Sequence, residues 1–197
     1  MIAMRVWTVS ISKRCDLRTR KDAIGTIIRT SFRYCHIVNK ITITINKIMS
    51  YTQTSYHIIL RTHCSIPAIV EDHERELYSY MLGFINNKGA HLYRIGGMPD
   101  HVHLFISLPA TMAMSKFVQE LKVSTSKWLK ENIHFPLFDG WTKEYAGFSY
   151  NLRDKDKIVR YIAKQKEHHR HVTFAEEYRQ FLIENGVEIK EEYFLKD

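Results

Sequence analysis

The run Pro99-Asp100-His101-Val102-His103-Leu104-Phe105-Ile106 constrains the fold more than any other part of this chain. In a strand, alternate side chains point to opposite faces. His101, His103 and Phe105 then share one face, and Val102, Leu104 and Ile106 share the other. The aliphatic set needs helices packed against it, so the strand belongs to a sheet with at least one covered face. Gly96-Gly97-Met98-Pro99-Asp100 is dense turn chemistry just before it. A short run at 91–95 precedes the turn, so 91–95 and 101–108 read as a hairpin.

The rest of the chain falls into place around that hairpin. Residues 55–63 form an apolar run rich in β-branched and aromatic residues, which predicts a strand. Leu77, Met81, Leu82 and Ile85 predict a helix over 69–87, ended at Gly89. Phe117, Leu121, Val123 and Trp128 offer an apolar face to a helix over 114–130. A fourth strand is expected over 141–151, alternating through Tyr145, Phe148 and Tyr150. A helix over 154–168 follows. A last one over 173–185 has Thr173 as N-cap, Glu176 completing a capping box, and Gly186 as its stop. The order β-α-β-β-α-β, with an extra C-terminal helix, is that of an α+β, ferredoxin-like fold: one antiparallel sheet with helices packed on one face.

With 197 residues, 45% of them apolar and 25% charged, the chain is of ordinary globular composition and suits one domain. No stretch reaches the roughly 18 uninterrupted apolar residues of a membrane span. Three cysteines, at 15, 35 and 64, have no C-x-x-C spacing. This indicates neither a disulfide framework nor a cysteine zinc site and suits a reducing cytoplasm. The net charge of +8 suggests a nucleic-acid partner, but all of the excess lies in residues 1–48, which carry ten Lys/Arg against two Asp. Residues 49–170 form a mildly basic body, and 171–197 an acidic tail.

Two features carry chemistry. His101 and His103 stand side by side on the non-aliphatic face, where two neutral imidazoles can share a divalent metal. The plainer reading is two half-exposed strand histidines. In Tyr161-Ile162-Ala163-Lys164-Gln165, Tyr161 and Gln165 are i and i+4 and hence neighbours on a helix. The plainer reading there is a half-buried tyrosine and a solvated glutamine. Taken together they fit phosphoryl transfer. A metal on His101, His103 and the Gln165 amide oxygen polarises a phosphate. Tyr161 then attacks phosphorus, its hydroxyl assisted by positive charge from the metal, Arg160 or Lys164, since a phenol with a pKa near 10 is a poor nucleophile.

These residues resemble a known family. Tyr56-His57, Met98-Pro99-Asp100-His101-Val102-His103-Leu104, Tyr161-Ile162-x-x-Gln165 with His168-His169, and Thr173-Phe174-x-Glu176-Glu177-Tyr178 are similar to the single-tyrosine transposases of the HUH superfamily. Those enzymes mobilise insertion sequences as single-stranded DNA. The resemblance covers nearly all of 49–197 and none of 1–48. It implies Tyr161 as nucleophile and His101, His103 and Gln165 as ligands of Mg²⁺ or Mn²⁺. It further implies single-stranded DNA hairpins at the element's ends as substrate, and a homodimer whose active site combines the histidines of one subunit with the tyrosine of the other, or is complete within one. No membrane partner is implied. A domesticated relative that processes repeat hairpins fits the same residues.

Lys116, Lys122, Lys127 and Lys130 on the 114–130 helix, with Arg153, Lys155, Lys157, Arg160, Lys164 and Arg170 around the tyrosine helix, are candidates for a phosphate track. A histidine-triad hydrolase is disfavoured by Phe105, which stands where a third histidine would be needed. An RNA-recognition module shares the element order but needs exposed aromatics where His101 and His103 stand.

Residues 1–48 contain no Glu, no Pro and a single Gly. They admit three readings: a basic arm, an organellar transit peptide, or translated sequence upstream of a start at Met49. The coherent pattern begins straight after Met49, which favours the third. The domain is therefore expected to be 49–197. A protein beginning at Met49 should cleave DNA at the rate of the full chain, with an unaltered salt dependence of binding. Loss of cleavage, or a flatter dependence, would show that the basic segment grips phosphates.

Overall fold

The computed structural model describes residues 52–197. Residues 1–48, and the expectations placed on them, lie outside the described residues. Among these residues, four strands and four longer helices form the framework: β1 (Ser55–Arg61), α1 (Glu74–Asn87), β2 (His91–Met98), β3 (His101–Ser107), α2 (Met114–Glu131) and β4 (Ala146–Ser149), then α3 (Lys155–Ala163), the short α4 (Gln165–His168) and α5 (Phe174–Glu184). The sheet order is β2-β3-β1-β4 and every pairing is antiparallel. β1 and β2 therefore run in the same direction with β3 between them, the split arrangement expected for a ferredoxin-like α+β fold.

The β1–β3 register sorts the side chains by face. Ile58 is opposite Leu104 and Leu60 opposite Val102, whereas His57 is opposite Phe105 and Ile59 opposite His103. The first set packs against α1 and α2. α1 buries Leu77, Met81 and Ile85, and α2 buries Phe117, Val118, Leu121, Thr125 and Leu129. Leu82 and Val123, expected in these stripes, are 42% and 67% exposed, because neither sits on the i, i+4, i+8 row its helix buries. Thr125 occupies that row as a polar residue. Its hydroxyl accepts a 2.9 Å bond from Trp141 Nε1 and donates one of 2.7 Å to Leu121 O, so nothing polar is stranded.

Helices cover the second face as well as the first. Phe105 packs with Ile158 and Ile162 of α3, while Ile59, Ala146 and Phe148 pack with Phe174, Tyr178, Phe181 and Leu182 of α5. The cause is the same alternation that isolates the histidines. Phe105 and Ile59 share their face, and leaving each in water would forgo about 1.5–3 kcal/mol.

Two expected elements are shorter than their sequence pattern. β4 keeps only four residues because the carbonyls of Thr142, Lys143 and Glu144 turn towards Lys122 Nζ, at 3.0, 3.2 and 2.7 Å. Trp141 retains a single bridge to Thr62. The helix expected over 154–168 breaks at Lys164 (φ −101°, ψ 13°) into α3 and α4. The capping box of α5 forms as expected, with Thr173 and Glu176 bonded reciprocally, and Gly186 past its end has φ +69°.

α3 lies close against β2 because of Gly96. A methyl group on Gly96 would stand 2.8 Å from Ile162 O and 3.1 Å from its Cγ2. Gly96→Ala should push α3 away and lower stability by about 1–3 kcal/mol, the usual cost of overpacking, read as a fall in Tm. An unchanged Tm would mean that the helix does not depend on this close approach.

Candidate active site

His101 and His103 leave β3 on the second face, both fully buried. Each ring is held through Nδ1. His101 Nδ1 lies 2.7 Å from Asp100 Oδ1, and His103 Nδ1 lies 2.9 Å from His57 Nε2. A carboxylate can only accept, so His101 carries its proton on Nδ1. Burial pushes the His57 imidazole down to about 3 and that of His103 well below its usual value, so both rings are neutral. Burial works to raise Asp100, but the hydrogen bond from His101 and the polarity of the nearby rings override it and keep its carboxyl below the usual range. His169 repeats the pattern, with Nδ1 2.9 Å from Val172 O. Burial first, then nearby His101, lowers its pKa.

Asp100 and Val172 O fix the protons of His101 and His169 on Nδ1, and with His57 Nε2 accepting from His103 Nδ1 each of the three rings presents an Nε2 lone pair. These three nitrogens, Gln165 Oε1 and Glu177 Oε2 are buried side-chain atoms without a hydrogen-bond partner. Glu177 Oε2 lies 3.7 Å from His101 Nε2, 3.7 Å from His103 Nε2 and 3.1 Å from His169 Nε2. In these tautomers, with the Glu177 carboxyl ionised, all five atoms are acceptors. Buried polar atoms are almost always paired, and a set of acceptors with no donor among them fits a cation. Ligand atoms of His101, His103 and Glu177 lie within 4.8 Å of one another, a spacing that metal–ligand bonds of about 2.0–2.2 Å can span.

Tyr161 sits beside this cluster. Its hydroxyl donates to Glu177 Oε1, and Gln165 Nε2 donates to the same oxygen at 2.9 Å. The helix break at Lys164 falls between the two, and both still turn inward. The Tyr161 ring centroid is 6.1 Å from that of His103 and 6.3 Å from that of His57. One chain thus brings His101, His103, Tyr161 and Gln165 together. Burial, reinforced by the charge of Asp100, pushes the Glu177 carboxyl up to about 8. A groove of about 770 Å³ runs along Tyr161 between α3 and α5, with Tyr150, Lys157 and Phe181 on its walls.

The ten basic candidates do not form one track. Lys116, Lys122, Lys127 and Lys130 belong to α2, which packs on the aliphatic face, across the sheet from Tyr161. Lys122 is a structural residue: its ammonium is occupied by three carbonyls, and burial lowers it to about 8. Lys116 pairs with Glu120 and Lys130 with Asp139. Arg153, Lys155, Lys157, Arg160, Lys164 and Arg170 do lie on or near α3 and α4. Of these, Lys155 stands over the Tyr93 ring at 4.9 Å and Lys164 is 3.9 Å from Glu167.

Sequence reasoning missed His57, His169 and Glu177 as members of the site. His57 becomes readable only with the β1–β3 register, which puts it on the histidine face. His169 was visible as one of a His-His pair but without a role. Nothing in the pattern of α5 marks Glu177 as the carboxylate that turns inward.

Residues 50–165 match the family described as Transposase IS200 like. The match spans more than half of the chain, and the chain belongs to this family. It is thus a transposase of the single-tyrosine HUH kind that its motifs resemble. Two solved structures are similar to it. One, described as a transposase from Deinococcus radiodurans R1, shares 21% identity over 59% of this chain and 94% of that one, with a TM-score of 0.47. The other, the REP-associated tyrosine transposase bound to a REP hairpin, shares 15% identity over 62% of this chain and 73% of that one, with a TM-score of 0.49. No curated protein matches the sequence. Among the described residues no helix is long and apolar enough to cross a membrane.

The Asp100–His101 bond sets which ring nitrogen faces the cluster. Asp100→Ala should weaken Mn²⁺ binding about 10–100-fold, as loss of such a supporting partner usually does, measured by titration calorimetry with the circular dichroism spectrum unchanged. Unaltered affinity would show that the ring is oriented by packing alone.

Proposed function

We propose that residues 49–197 are the catalytic domain of a metal-dependent transposase that nicks and rejoins single-stranded DNA at insertion-sequence ends through a covalent phosphotyrosine. The observation that carries this reading is the juxtaposition of the Tyr161 hydroxyl with a buried cluster of metal-ligand atoms. His101, His103 and Gln165 hold Mg²⁺ or Mn²⁺ in this reading. When bound, the cation acts as a Lewis acid on a phosphate oxygen.

The chain's own residues do the rest. Asp100 and His57 fix the two imidazoles with Nε2 inward. Glu177 Oε1 holds the phenol so that Oη cannot swing away. Tyr161 Oη then attacks phosphorus. The phosphorus–Oη bond forms as the bond to the sugar oxygen breaks, and the phenol proton is balanced by the one the departing sugar hydroxyl takes up. A phosphate diester is exchanged for a phosphotyrosine diester, so the strand can be rejoined by the reverse attack. Arg153, Lys155, Lys157, Arg160, Lys164 and Arg170 supply phosphate contacts.

DNA hairpins as substrate follow from the family and match what the REP-associated neighbour is described as binding. A homodimer is part of the same reading. In this reading the site is assembled within one subunit, since His101, His103, Tyr161 and Gln165 lie together in a single chain.

Tyr161→Phe should retain hairpin binding and abolish both strand cleavage and the covalent protein–DNA species seen on denaturing gels. An adduct formed by the Phe variant would remove Tyr161 as nucleophile.

A further inference from the structure

We infer that Glu177 is a protein ligand of the catalytic cation, binding through Oε2 while Oε1 holds the nucleophilic hydroxyl. This deepens the proposed function and rests on its metal site. Glu177 lies on α5, beyond the residues 50–165 that match the family, and the three ligands implied by the resemblance do not include it.

Three observations carry the inference. The first is the division of labour between its two oxygens. Oε1 is fully engaged, accepting from Tyr161 Oη and from Gln165 Nε2. Oε2 is buried and has no hydrogen-bond partner, with His169 Nε2 3.1 Å away and His101 Nε2 and His103 Nε2 each 3.7 Å away. An unpaired carboxylate oxygen ringed by three imidazole nitrogens is where a shared cation would sit.

The second is charge. His101, His103 and Gln165 form a neutral set. Mg²⁺ and Mn²⁺ prefer oxygen donors and carboxylates above all. A site with two neutral imidazoles and an amide would bind them weakly, and one buried carboxylate supplies the missing negative charge. Conversely, Glu177 is only 3% exposed, and a carboxylate buried that deeply is expensive without a cation beside it.

The third is geometry. Gln165 keeps its own Oε1 free of protein partners while its Nε2 is spent on Glu177. Amide and carboxylate are thus bonded to each other, and each retains one oxygen for the cation. A carboxylate that touches both cation and phenol couples the two. Loading the metal fixes Oε2, which in turn fixes Oε1 and the hydroxyl it holds.

The test reads metal affinity, not cleavage. Mn²⁺ binding to the full chain is titrated by the loss of the free-ion electron paramagnetic resonance signal, for wild type, Glu177→Gln, Glu177→Ala, Gln165→Ala, His101→Ala and Tyr161→Phe. Glu177→Gln, which keeps the side-chain shape, should weaken binding at least 10-fold. Glu177→Ala should do the same, and Tyr161→Phe should leave affinity within a factor of two. In crystals of the wild type soaked in Mn²⁺, the anomalous peak should lie about 2.0–2.2 Å from Glu177 Oε2, a measurement that does not depend on any variant folding.

Unchanged or tighter binding by both Glu177 variants, or a peak ligated by His101, His103 and Gln165 with Glu177 turned away, overturns the inference and leaves the proposed function standing. Tighter binding would mean that the carboxylate merely occupies the place of the cation. If the wild type binds no Mn²⁺ at all, the metal-dependent reading and this inference fall together.

Discussion

Everything near Tyr161 depends on the antiparallel pairing of β1 with β3. Its register puts Ile58 and Leu60 with Val102 and Leu104 on one side and His57 with His103 on the other. A shift by one residue would turn the imidazoles into the aliphatic core and the aliphatics into the site. The hydrophobic effect that holds α1 and α2 to the sheet therefore also enforces the position of the histidine face. The alternative register would bury three imidazoles, those of His57, His101 and His103, without partners.

That face is not left to solvent. Phe105, Ile59 and Phe148 share it with the histidines and draw α3 and α5 down onto it. The apolar part of the face supplies the adhesion, and the polar part is enclosed as a result. Enclosure lowers the local dielectric, so a hydrogen bond such as Asp100 to His101 and a charge such as Glu177 act more strongly there than at an open surface.

Much of this was legible in the sequence, and the failures share a cause. Alternation in 101–106, the turn before it and the helical rows of α1 gave the topology, because each is a local pattern with a fixed period. Their spacing predicts that Tyr161 and Gln165 share a helix face, and both turn towards Glu177. The inward turn of Glu177 is not predicted, because a glutamate on an amphipathic helix is normally solvated, and only the docking of α5 turns it inward. Lys122 was misjudged for the same reason: three backbone carbonyls from a distant loop claim its ammonium. Leu82 and Val123 look like core residues by type, but the phase of each helix decides otherwise. What the sequence hides is long-range docking, which local periodicity does not encode.

The site draws its atoms from four separated stretches: β1, β3, the α3–α4 junction and α5. Chains emerge from the ribosome amino-terminus first and fold in that order. A growing chain can complete its sheet with β4 while the residues that hold the tyrosine hydroxyl are still being added. Under the proposed function, a centre built this way stays disarmed throughout synthesis, and in any product cut short before residue 177.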